Sequence, residues 1–225
     1  MKLNPKIIEN WAMIPGDTSL HRALKKEKKR TKREDITILD YQKDLLLSAI
    51  NLCKQRRVAI DAGANYGIMS YNLSQLFTDV HSFEIFEPVR NCLIENKKKF
   101  NLKNVKIYAY GLGEKNKSVS LDLSRGTLGT YILPNQNGDN LIVPLDSLQI
   151  KSVDFIKIDC EGYEPFIIEG AAKTIKTFRP VILMERKGHT IRYNLDKTYP
   201  VKILEKWGYI EKISYYKDCI MESIN

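Results

Sequence analysis

The chain has 225 residues, 43% apolar and 28% charged, with a net charge of +9; these are globular proportions that exclude a disordered, collagen-like or disulfide-framework chain. One domain, or one domain with a short appendage, fits the length, and roughly 70% of the unfolded surface can be buried without a disulfide or metal staple. No apolar stretch approaches the roughly 18 residues of a membrane span, Asn4, Glu9 and Asn10 fall where a leader peptide needs an apolar core, and four scattered cysteines (Cys53, Cys92, Cys160, Cys219) form no C-x-x-C pair, so the expectation is a cytoplasmic, unexported protein with free thiols.

In chain order, residues 1–39 read as a basic appendage and 40–225 as the main domain. Between His21 and Asp35 lie eight Lys/Arg (Arg22, Lys25, Lys26, Lys28, Lys29, Arg30, Lys32, Arg33) against three acids, over half of the charge excess. The run from Arg22 to Arg33 suits an anionic partner such as nucleic acid, a phosphosugar or a membrane surface. It equally suits a solvated face, since no aromatics interleave it as single-strand binders would require. Asp40 is placed to cap a helix over 41–56, with Leu45, Leu46, Ala49, Ile50, Leu52 and Cys53 at helical spacing.

From Arg57 strands and helices alternate. The pattern predicts a strand at 58–61, a helix at 66–77, a strand at 80–84, a helix at 87–100, and a strand at 105–110 ended by Gly111-Leu-Gly113. Extra strands at 118–123 and 141–143 flank a polar stretch over 124–140. A strand at 154–159 follows, then Pro165 opens a helix over 166–177. A strand at 181–185, a helix at 201–207 stopped by Gly208, and a hairpin of 209–216 with 219–223 around Lys217-Asp218 close the chain. This order predicts an α/β fold, a mostly parallel seven-stranded sheet with helices on both faces and a C-terminal antiparallel hairpin. Ligands of such sheets bind at the carboxyl ends of the strands.

The first strand ends in Asp61-Ala-Gly63-Ala-Asn65-Tyr66-Gly67. Gly63 and Gly67 permit a tight turn and close approach of a ligand, but Asn65 stands where a dinucleotide loop would carry a glycine. The second strand ends at Glu84, placed to accept hydrogen bonds from both hydroxyls of a ribose, with Glu87 as its rival or as a cap of the next helix. A glycine loop and a ribose acid without pyrophosphate glycines point to S-adenosylmethionine (SAM). The fourth strand ends in Lys157-Ile-Asp159-Cys-Glu161-Gly-Tyr-Glu164, where Lys157 and Asp159 share one side of the strand. Asp159 then faces the crevice, while Glu161 and Glu164 suit a helix N-terminus. The fifth strand ends in Glu185-Arg-Lys187-Gly-His189.

These residues resemble the FkbM family of SAM-dependent methyltransferases. The resemblance is carried by Ala59-Ile-Asp-Ala-Gly-Ala-Asn-Tyr-Gly67, Val80-His-Ser-Phe-Glu84, Leu145-Asp-Ser-Leu148, Arg179-Pro-Val-Ile-Leu-Met-Glu185 and, most specifically, Ile156-Lys-Ile-Asp-Cys-Glu-Gly-Tyr-Glu164 with Glu169-Gly-Ala171. It spans roughly Asp40 to the C-terminus and implies a Rossmann-like class I methyltransferase fold and O-methylation of hydroxyls on sugars or polyketides. It places the cofactor on Asp61, Gly63, Asn65, Tyr66, Gly67, Glu84 and Ile85, with Gly111 and Leu112 near the adenine and Asp159 at the cofactor–acceptor boundary. The family's Phe-Glu-Pro is displaced here, with Ile85 after Glu84 and the triplet recurring at Phe86-Glu87-Pro88.

An alcohol acceptor needs a base within hydrogen-bond reach. Asp159, Glu185 and His189 are the candidates in that order, and Lys187 is the residue that could lower the hydroxyl's pKa. Asp159 and Glu185 are also the pair a divalent cation would use, although no definite ligand spacing is present. The expected acceptor is a hydroxyl-bearing small molecule or glycan, a sugar first. The alternatives are ribose 2′-O-methylation of RNA or its cap, through the basic run, and a non-catalytic SAM- or anion-binding module. The acceptor side is expected to be lined by residues 124–140, residues 186–200 and the appendage. Oligomeric state is not written in the sequence.

Overall fold

A computed structural model describes residues 5–224 of the chain; Asn4, one of the residues weighed against a leader peptide, lies outside them. The elements are β1 (Lys6–Ile8), β2 (Trp11–Met13), α1 (Ser19–Thr31), α2 (Lys43–Ile50), β3 (Val58–Ala62), α3 (Ile68–Ser74), β4 (Asp79–Phe83), α4 (Glu87–Lys99) and β5 (Val105–Tyr108). The short strands β6 (Gly111–Leu112), β7 (Lys117–Val119), β8 (Leu121–Asp122), β9 (Tyr131–Ile132) and β10 (Asn140–Val143) follow. Then come β11 (Val153–Ile158), α5 (Glu164–Gly170), α6 (Ala172–Phe178), β12 (Val181–Glu185), α7 (Tyr199–Lys206), β13 (Tyr209–Tyr215) and β14 (Asp218–Ser223).

Seven strands form the main sheet in the order β13-β14-β12-β11-β3-β4-β5. β12, β11, β3, β4 and β5 are parallel; at one edge β14 runs antiparallel to β12, and β13 antiparallel to β14. The expected sheet and its terminal hairpin are therefore present. Alternate residues of the central strands feed two cores, as the two-residue period of a strand requires. Ile60, Ile156, Ile158, Ile182 and Met184 pack with Ile167, Ile168, Ile175 and Leu204 of α5, α6 and α7. Ala59, Phe155, Val181 and Leu183 pack with Leu45, Leu46, Ala49 and Ile50 of α2 and Met69 and Leu73 of α3. The chain leaves β3 toward β4 and β5 on one side and continues at β11 and β12 on the other. The strand order reverses between β3 and β11, and a crevice opens at their carboxyl ends.

Several elements differ from expectation for local reasons. The helix over 41–56 is only Lys43–Ile50, because Gln42 takes a left-handed φ of 53° before it. Asp40 instead closes a 3₁₀ turn, accepting from the Thr37 amide at 3.0 Å and the Thr37 hydroxyl at 2.7 Å. The helix over 66–77 contracts to α3, entered through Gly67 at φ 90°. The helix over 166–177 is two, broken at Ala171 where Gly170 lies against the Gly113 carbonyl. The N-terminal stretch carries structure that its polar composition hid. Trp11, Met13, Leu20 and Leu24 are buried with Tyr66, Val89 and Cys92, which docks β1, β2 and α1 beside α3 and α4.

Candidate active site

The loop after β3 is held from below. Asp61 is fully buried; it accepts from the Ser70 hydroxyl at 2.6 Å and faces the Lys157 ammonium at 3.2 Å. Lys157 also donates to the carbonyls of Gly63 (2.8 Å) and Ala62 (3.3 Å). Burial by itself would lower the Lys157 pKa, but Asp61 and Asp159 outweigh it and hold the ammonium above the ordinary lysine value. Gly63 is required twice over, since its φ is +76° and a Cβ there would lie 2.1 Å from the Asp159 carbonyl oxygen. Asp61 and Lys157 thus brace the loop against β11 and do not line the crevice.

Glu84 forms the adjoining wall. Its Oε2 accepts from the Asn65 amide at 2.8 Å and its Oε1 from the Phe86 amide at 2.9 Å. Burial raises its pKa despite those amides. Glu84 lines the crevice and Glu87 does not. Glu87 occupies the first turn of α4, but no side-chain hydrogen bond caps that helix. Gly63, Asn65, Phe83, Ile85, Gly111 and Leu112 line the same end of the cavity. A buried acid beside a glycine loop and the apolar side chains of Phe83, Ile85 and Leu112 could hold a ribose and a purine. Tyr66 and Gly67 sit differently: the Tyr66 ring is buried in the N-terminal cluster, its hydroxyl donating to Asp17, and neither residue lines the cavity.

At the ends of β11 and β12 the acids form a cluster of two layers. Asp159, Glu161 and Lys187 line the cavity, whereas Glu185 and His189 stand behind them. Burial works against the Asp159 charge, yet Lys157 and Lys187 prevail and keep its pKa below the usual carboxylate value. Glu185, 4% exposed, is pushed well above that value by burial and then by the Asp159 charge. The Lys187 ammonium contacts Glu185 and lies 3.6 Å from Glu161. Burial, Arg192 and Lys187 push His189 down to about 4, so its ring is neutral near pH 7. Its Nδ1 lies 2.7 Å from Glu161 and 3.6 Å from Glu185.

Glu161 is the residue the sequence reading misplaced. It adopts φ +53° and turns into the cluster instead of toward α5, while Arg192 donates to its carbonyl at 2.6 Å. Glu164 alone serves the turn, accepting from the amides of Cys160 and Gly162 at 3.1 Å each. The divalent-cation pair also changes. Ligand atoms of Glu161, Glu185 and His189 lie within 4.8 Å of one another, and Asp159 is outside that group.

The cavity has a volume of about 1010 Å³ and is covered by α1 and the 121–132 flap. Residues of both, with Lys187 from the segment after β12, contribute to its lining. Thr127 ties the flap down: its hydroxyl donates to Asp17 and contacts Ser19 Oγ at 2.9 Å, and its carbonyl accepts from Asn65 Nδ2 at 3.2 Å. At the far end of α1, Arg30 donates to the Tyr215 hydroxyl. No helix among the described residues is long and apolar enough to cross a membrane.

Comparison with known proteins identifies this arrangement. The model of the methyltransferase FkbM domain matches residues 61–210. A comparison with curated proteins finds no match. Among solved structures, SMU.1697c of Streptococcus mutans, assigned as a methyltransferase and solved with SAH, shares 15% identity at a TM-score of 0.53, over 80% of this chain and 97% of its own. The precorrin-6y C5,15-methyltransferase of Geobacter metallireducens GS-15 shares 16% at 0.51, over 84% and 89%. The FkbM methyltransferase of Methylobacillus flagellatus KT shares 16% at 0.49 over 74% of this chain, which spans 43% of that protein's length. At these identities the structural likeness establishes the fold, a Rossmann-like methyltransferase architecture, and the family model carries the assignment.

Proposed function

The chain belongs to the FkbM methyltransferase family and is a SAM-dependent methyltransferase, and from that premise we propose that it methylates a hydroxyl of a small molecule or glycan, a sugar in the first instance, with Asp159 as the base. One observation carries this reading: a carboxylate held ionised by two lysines lies on the cavity wall next to the loop and acid that fit the cofactor. Gly63, Asn65, Glu84, Ile85, Gly111 and Leu112 would hold SAM, Glu84 toward the ribose and Ile85 and Leu112 against the adenine. When bound, SAM supplies an electrophilic methyl group.

The chain's own part is alignment and proton removal. Asp159 accepts the hydrogen bond of the acceptor hydroxyl and takes its proton as the oxygen–carbon bond forms. Burial and the Asp159 charge push the Glu185 pKa up, which disfavours two negative charges at the same place. Lys187 neutralises the cluster from the cavity side. His189, neutral and behind Glu161, orients that carboxylate and is not in reach of the acceptor.

The cluster supports a second reading, a divalent cation on Glu161, Glu185 and His189 that orients the acceptor. Lys187 already contacts both of those carboxylates as an internal cation, which favours metal-independent transfer. The test is transfer of a radiolabelled methyl group from SAM to a panel of simple glycosides, a nucleotide-sugar and a short capped RNA, with and without chelator. Counts on a sugar that persist with chelator are expected. Loss with chelator would assign a metal, and counts on RNA alone would replace the sugar. Asp159→Asn should lower kcat by about 10²–10⁴, the usual share of a general base, while SAM affinity stays within about threefold. Near-normal turnover would remove Asp159 from the chemistry.

A further inference from the structure

One face of α1 is basic and roofs the cavity. Leu20 and Leu24 are buried against the domain, while Arg22, Lys26, Lys29 and Arg30, at helical spacing on another face, line the cavity. Arg125 of the flap and Lys217 of the β13–β14 turn line it from other sides. Arg30 is engaged with Glu27 and Tyr215. Among the described residues, Arg22, Lys26, Lys29, Arg125 and Lys217 enter no ion pair. Most acids of the cavity are already committed. Glu27 accepts from the Gln42 amide and faces Arg30, Glu84 accepts from two amides, Glu161 lies 3.6 Å from Lys187, and the charges of Lys157 and Lys187 act on Asp159. Asp218, half-buried, is pushed up to about 7 by desolvation and the Asp159 charge and brings less than a full charge.

Cations gathered around one cleft repel each other until an anion enters. We propose that the acceptor carries a phosphate or diphosphate ester, held between α1 and Arg125 with Lys217, while its hydroxyl reaches Asp159. This rests on reading the cavity as the methyl-transfer site and names the acceptor's class. Guanidinium groups match phosphate oxygens with paired donors, and lysines add point charge. The geometry favours a small phosphorylated molecule over RNA. α1 is tied at both ends, through Ser19 to Thr127 and through Arg30 to Tyr215, and borders a cleft of about 1010 Å³, a small-molecule size.

The full-length chain can be titrated with inorganic pyrophosphate by calorimetry at low and moderate salt, with SAM titrated in parallel. Pyrophosphate is expected to bind, more weakly as salt rises. Arg22→Glu with Lys26→Glu should weaken it at least tenfold. Lys25→Glu with Lys28→Glu makes the same charge change on the same helix away from the cavity and should weaken it less than twofold. SAM affinity should stay within twofold in both. If the first double variant fails to fold, Arg125→Ala replaces it, with a several-fold loss expected. In turnover, a sugar phosphate should show a KM at least tenfold below that of the unphosphorylated sugar, and comparing it with a nucleotide-sugar distinguishes monoester from diester sources. The proposal is overturned if pyrophosphate does not bind a chain that binds SAM normally, or if both double variants lose it equally. An oligonucleotide that displaces pyrophosphate at tenfold lower concentration than the sugar phosphate would make the site a nucleic-acid site. Failure of SAM itself to bind would strike the underlying methyltransferase reading instead.

Discussion

Burial and neighbouring charges set the two carboxyls apart, holding the Asp159 pKa below the usual carboxylate value and pushing that of Glu185 well above it. Asp159 has two lysines to offset its burial, whereas Glu185 is enclosed by Asp159, Glu161 and Glu164 with Lys187 as its main relief. Lys187 is therefore the positioning residue that decides which carboxylate can act. Lys187→Met removes one of the two charges holding Asp159 ionised, so the Asp159 pKa should rise. The acid limb of kcat/KM should move to higher pH by about one unit, whereas a purely structural role would lower kcat at every pH alike. Lys187→Arg should restore much of the profile. An unshifted limb in Lys187→Met would mean that Lys157 alone sets the Asp159 charge. In the sequence, the placement of Asp159 and Glu185 at neighbouring strand ends was legible because both strands carry a clear apolar run. The two-layer order was not, because it depends on the positive φ of Glu161, a residue whose type does not announce it.

At the scale of elements, the boundaries set by hydrophobic period survived folding best where the strand is buried on both faces. The strand expected at 181–185 is β12 to the residue, the one expected at 58–61 is one residue short of β3, and the one expected at 154–159 is shifted by one residue from β11. Helices were overestimated where a backbone contact, and not the apolar pattern, ends them. The break between α5 and α6 shows this. A Cβ on Gly170 would lie 1.9 Å from the Gly113 carbonyl oxygen, a backbone atom that cannot swing aside. Gly170→Ala, a helix-favouring change by propensity, should for that reason destabilise the protein, by about 1–3 kcal/mol, the usual cost of overpacking. Urea unfolding measures it, and a gain in stability would mean that α5 can slide off β6 without cost. The small strands β6 to β10 were only partly visible in the sequence, because two- and three-residue strands hold too little pattern to read.

For the molecule as a whole, the N-terminal stretch is joined to the cofactor loop through one buried amide. Asn96 of α4, 1% exposed, accepts from the Ala12 amide at 2.7 Å and donates to the carbonyls of Ala12 at 3.0 Å and Tyr66 at 2.8 Å. Asp17 repeats the link from the other side, accepting from the hydroxyls of Tyr66 and Thr127. The basic composition of residues 21–35 advertised a solvated segment, while of the four apolar side chains that anchor the stretch, Trp11, Met13, Leu20 and Leu24, only Leu20 and Leu24 stand at helical spacing, too few to form a recognisable period. Asn96→Ala removes all three hydrogen bonds and strands the Ala12 and Tyr66 backbone groups in a dry cluster. Each unsatisfied group costs about 1–3 kcal/mol, so the stretch should detach before the sheet unfolds. Limited proteolysis should then cut first within residues 5–35, and SAM affinity should fall several-fold because the Tyr66 end of the loop has lost its support. Simultaneous loss of both signals would show that α1 and the loop form one unit. Early cleavage with normal SAM binding would show instead that Lys157 and Asp61 hold the loop on their own, and that the basic roof can open without disturbing the cofactor.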